Sequence, residues 1–147
     1  MISIIACAAW MTMCTHHDRY GSVSREGVQE ALASSQLAIT PHEPRWLLNT
    51  NQIHTLNEAQ QSRTRALLSA GKLRHVDEDL YRDETQGNRD DSTALIFYLY
   101  ADNGQCLGGR VVRQRVLMDD FELDEAAELE LYDLFRPALT RLFPGKL

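Results

Sequence analysis

The run His75-Val76-Asp77-Glu78-Asp79 holds the residue types of a divalent-metal site, because an extended backbone sends His75, Asp77 and Asp79 to one face. One imidazole and two carboxylates can hold a divalent ion, and His16 or His17 can join them only through the tertiary fold. That chemistry would make the chain a metal-dependent hydrolase. The competing reading is an edge strand whose acidic face stays in water and discourages pairing with another chain.

A second constellation suits binding rather than catalysis. Tyr98 and Tyr100 lie two apart in a strand-like run, and Arg113 and Arg115 alternate in the segment expected beside it. Tyr and Arg dominate the energetics of protein interfaces, so these four residues form the candidate partner-binding face. The plainer alternative is a sheet face covered by arginine stems, with tyrosine tips reaching water. A third group, Arg63, Arg65, Lys72 and Arg74, makes the end of one helical segment locally basic. It would suit the recognition helix of a winged-helix regulator, with the segment from Leu73 to Tyr81 in its wing.

The sequence assigns no catalytic residue. No serine sits in a Gly-x-Ser-x-Gly elbow, and there is no Walker loop or dinucleotide glycine fingerprint. Gly104, Gly108 and Gly109 fall in a hairpin pattern, the wrong setting for a phosphate cradle, and no cofactor is expected. A net charge of −6 and a pI near 5.3 oppose general nucleic-acid binding, which draws its affinity from a basic surface. Cys7, Cys14 and Cys106 have no zinc spacing, and residues seven apart on a helix stand about 10 Å from each other, too far for a disulfide.

The elements that would position these residues follow from pattern and punctuation. Ser24 caps a short helix over 25–35, and residues 36–40 read as a strand. Pro41 and Pro44 then interrupt the chain before the apolar Trp46-Leu47-Leu48. Thr55-Leu56-Asn57-Glu58 has the spacing of a capping box, opening a helix over 56–70 that ends at Gly71. Its expected inner stripe is Leu56, Ala59, Ala66, Leu67 and Ala70. Leu73 to Tyr81 reads as a strand, and the polar stretch from Arg82 to Ser92 as a mobile loop. Ala94 to Ala101 is the clearest strand, Asp102-Asn103-Gly104-Gln105 its turn, and Cys106 to Met118 the returning strand, with a bulge or bend at Gly108-Gly109. A last helix runs from Asp124 toward Phe143, kinked or divided at Pro137.

Together these predict one α+β domain over residues 1–147, an antiparallel meander of about three strands packed by an N-terminal helical region and a C-terminal helix. Residues 1–14 pose a separate question. Their uncharged run is too short to span a bilayer, and it lacks the basic start of an export signal. It reads either as a buried first element of a cytoplasmic protein or as a targeting remnant. In the second case Ile4-Ile5-Ala6-Cys7 resembles a bacterial lipoprotein box and places the chain in the periplasm or anchored to the envelope.

The resulting expectation is a non-catalytic protein-binding module, such as an inhibitor, immunity factor, chaperone or assembly component. Its expected partner is another protein, with a homodimer as an alternative and no transmembrane span.

Overall fold

The computed structural model describes residues 25–41, 52–74 and 94–147. Helix α1, Arg25–Leu32, buries Gly27, Val28 and Ala31. It leads through Ser34, whose hydroxyl donates to the Ala31 carbonyl at 2.7 Å, into strand β1, Leu37–Thr40. Strand β2 is only His54–Thr55, and helix α2 follows over Glu58–Ala70. Strands β3, Lys72–Leu73, β4, Leu95–Ala101, β5, Cys106–Val112, β6, Arg115–Met118, and β7, Phe121–Glu122, precede helix α3, Glu125–Leu142.

Five strands form one antiparallel sheet in the order β2-β1-β4-β5-β6, and β3 pairs with β7 in a second, two-stranded one. The α+β class with an antiparallel meander holds, and the main sheet has five strands rather than three. The meander β4-β5-β6 lies at one side, while β1 pairs with both β4 and β2. The three helices among the described residues contribute to one core on one face of the sheet. Val28, Ala31, Leu68, Leu131, Phe135 and Leu139 pack there against Leu37, Ile39, Phe97, Leu99, Leu107, Val116 and Met118.

Several local expectations change. The cap of α2 is Asn57, not Thr55. Asn57 Oδ1 accepts from the Gln60 backbone N–H at 2.8 Å, and Gln60 Oε1 accepts from that of Asn57 at 2.9 Å. Thr55 is instead extended in β2, and this shift of frame turns the helix. Its buried face is Gln61, Thr64 and Leu68, leaving Ala59, Ala66 and Ala70 exposed. Gln61 tolerates burial because its amide donates to the Leu56 carbonyl at 2.6 Å.

The expected return strand is two strands. β5 and β6 meet at the two-residue turn Arg113-Gln114, with φ of 51° and 62°. Gly108 and Gly109 mark no bulge; both keep regular pairs with β4. They permit close approach, since a Cβ on Gly109 would stand 2.5 Å from Phe97 Cζ, and one on Gly108 would meet the Asp119 carboxylate. Pro137 does not divide α3, which continues to Leu142; Pro137 lies on its exposed side, where water can take the carbonyl left without a donor.

The proposed Ser24 cap, the Trp46-Leu47-Leu48 anchor, the opening segment 1–14, most of the strand from Leu73 to Tyr81 and the polar loop 82–92 lie outside the described residues. Among the described residues, no helix is long and apolar enough to cross a membrane.

Candidate functional site

The face of the main sheet turned away from the helices follows from strand register. Residues directly opposite in an antiparallel pair share a face. One row across it is Ala38, Tyr100 and Cys106, and the next is Thr40, Tyr98 and Gly108. The third is Ile96, Arg110 and Leu117. Burial falls along these rows. Tyr100 is fully buried with Ala38, Ile53 and Cys106, Tyr98 is half-buried, and Ile96 is 60% exposed. The Tyr98 and Tyr100 rings stack at 6.3 Å with 13° between their planes.

The four residues predicted for partner binding are therefore not one patch. Tyr98 and Tyr100 share this face, but only Tyr98 is partly accessible. Arg113 is exposed at the tip of the β5–β6 hairpin rather than on the strand beside the tyrosines. Arg115 begins β6, and its guanidinium reaches Glu128 of α3, with Nε donating to Oε2 at 2.8 Å and Nη2 to the same oxygen. Glu128 is only 8% exposed, so this pair ties the edge strand to the helix. On β5 the arginine that the sheet brings beside the tyrosine rows is Arg110; Arg115 shares that face with Leu117 by register but is drawn to Glu128.

Arg110 and the turn after β6 make the polar part of the site. The Asp119 backbone N–H donates to the Gly108 carbonyl at 3.0 Å, which seats the carboxyl over Gly108. Burial pushes the Asp119 carboxyl above the usual aspartate range, and the nearby positive charges of Arg110 and Arg74 oppose that rise. Arg74 is held beside this turn by its backbone N–H, which donates to the Asp120 carbonyl at 3.0 Å. Arg110 Nε is buried and meets no acceptor among the described residues. Ile96, Arg110, Leu117 and Asp119 were missed in the sequence. The signal that places them is the register of the β4–β5 hairpin.

His75, Asp77 and Asp79, with His16 and His17, lie outside the described residues. Among the described residues, no three His, Cys, Asp or Glu side chains are grouped to hold a metal ion. Of the basic group on α2, Arg63 forms a bidentate pair with Glu130 of α3, with Nη2 to Oε2 at 2.8 Å. Arg65 donates to the Ser34 carbonyl at 2.6 Å and lies within 3.4 Å of Gln61 Oε1. Both serve contacts between helices and their connections. At the other sheet edge, His54 Nδ1 lies 3.2 Å from Arg141 Nη1, and burial followed by that positive charge lowers its pKa.

Comparison of the chain with protein-family models, with curated proteins and with solved structures returned no match.

Proposed function

We propose that this chain is a non-catalytic protein-binding module that engages its partner through the sheet face carrying Tyr98. The observation that carries the reading is Ile96, 60% exposed and paired in register with Arg110, beyond which lies Leu117, on the face turned away from the described helices. An apolar residue presented between an arginine and a tyrosine row has the composition of an interface centre. An inhibitor, immunity factor, chaperone or assembly component would all use such a face.

The test is affinity capture with the full chain from its host, wild type against Ile96→Glu and Arg113→Glu. Both positions are exposed, so both variants should fold while losing the partner. A partner retained by both variants sinks this face as the binding site. Arg115 is left intact in this test, because reversing its charge would set two carboxylates against each other at Glu128.

A further inference from the structure

We infer that the hairpin-tip end of this face docks an acidic segment of the partner protein, one bringing carboxylates to Arg110 and Arg113 and an apolar side chain to Ile96. This rests on the protein-binding reading and adds the partner's chemistry. Three independent features converge on it.

Ile96 is the most exposed large apolar residue among the described ones, and its register partner is Arg110, which in turn pairs with Leu117. Arg110, part-buried, pairs with Ile96 in register, and its Nε is a buried donor that meets no acceptor among the described residues. Arg113 is held with Gln114 in the left-handed region, where two-residue hairpins ordinarily place Asn and Gly. A bulky cation kept in a costly conformation at an exposed tip points to use there rather than to stability.

The choice of a peptide over an extended anionic surface follows from range. The chain as a whole carries −6, so a nucleic acid or an anionic membrane meets net repulsion. A short segment feels chiefly the charges within the Debye length of about 8 Å at physiological salt, and here those include Arg110 and Arg113. Asp119 lies in the same field, where burial raises its pKa and the charges of Arg110 and Arg74 oppose that rise.

The experiment titrates the full chain, isotope-labelled for NMR, with a short synthetic peptide of alternating Glu and Leu and with its Lys-for-Glu counterpart. The Glu peptide should produce saturable shifts at residues 96, 110, 113 and 117, and the Lys peptide should not. Ile96→Glu should weaken the Glu peptide about tenfold, and Ile96→Arg, which loses the apolar contact but adds a cation, should weaken it less. Absence of saturable shifts, equal binding of the two peptides, or equal binding by Ile96→Glu overturns the inference. Equal affinity for single-stranded DNA or anionic vesicles at these residues also overturns it, because the face would then be a general anion surface.

A photo-crosslinker placed in turn at Ile96 and at Leu129 separates this inference from the broader reading. A partner captured only from Leu129, on the exposed side of α3, removes this surface and leaves protein binding intact. Capture from neither position, together with no peptide binding, removes both.

Discussion

Arg113 and Arg115 are two positions apart, yet the fold uses them oppositely, which separates surface chemistry from scaffold at single-residue resolution. Arg113→Glu at the exposed tip should leave the thermal midpoint within about 1 °C of wild type. Arg115→Glu should lower it clearly, and Arg115→Glu with Glu128→Arg should recover most of the loss, as scanning calorimetry would show. Full stability in Arg115→Glu would mean that the ion pair does not tie β6 to α3. Asp119 gives a prediction in pH. Its native pKa is raised, so between the unfolded aspartate value of about 3.9 and the higher native value the folded chain holds the extra proton. Stability contributed by this group therefore falls as pH rises through that window and stays lower above it. Asp119→Asn should accordingly raise the thermal midpoint at pH 7, and the advantage should vanish below about pH 4. An advantage that grows on acidification would contradict this assignment. The tyrosines were readable in the sequence as members of one sheet face, whereas nothing in the sequence singled out Asp119. Its burial depends on Gly108, eleven residues earlier, having no side chain.

At the scale of elements, the boundaries of α2 and the β4–β5–β6 hairpins show what local pattern could and could not reveal. Two overlapping capping motifs begin within two residues of each other, at Thr55 and at Asn57. The second prevails because Thr55 is extended against Ala38 of β1, a pairing that no local window contains. Asn57→Ala should therefore cost about 1 kcal/mol in urea unfolding, the usual cost of losing such a cap. The hairpin teaches a similar lesson about register. A two-residue turn at Asn103-Gly104 would pair Asp102 with Gln105 and put odd-numbered residues, Arg113 among them, on the tyrosine face. The observed loop is Asp102, Asn103 and Gly104, the last with φ of 93°, and it pairs Tyr100 with Cys106. That one-residue difference places even-numbered residues there, and Arg110 takes the role expected of Arg113. The next turn was invisible because Arg113-Gln114 has none of the residues that favour positive φ. Replacing the pair by Asn-Gly should stabilise the chain by about 1 kcal/mol while weakening the acidic peptide, since the exposed cation is lost. Stabilisation with unchanged peptide binding would show that Arg113 takes no part in the site.

For the whole molecule, the α+β class was legible because three helical segments and one strong hairpin were each visible on their own. The sheet order was not, since β1 enters between β2 and β4 and joins segments far apart in the chain. What makes the described parts one body is the contact between layers. Phe97 of β4 meets Phe135 of α3 edge-on, with ring centroids 5.8 Å apart and planes 79° apart, and both side chains are fully buried. Phe97 can lie so low on the sheet only because Gly109 beside it has no side chain. Helix position and hairpin sequence therefore meet at this contact. Phe135→Ala should cost about 3–5 kcal/mol, a large part of the stability of a domain this size. A double-mutant cycle of Phe97→Leu with Phe135→Leu should give a coupling of about 0.5–1.5 kcal/mol, the range for aromatic pairs beyond their buried area. If the face proposed for binding, the reverse side of this same sheet, is the docking surface, Phe135→Leu should lower peptide affinity only in proportion to the fraction unfolded. A loss of affinity at temperatures where circular dichroism shows the variant folded would mean instead that packing under Phe97 sets the geometry of Ile96 and Arg110 on the other side.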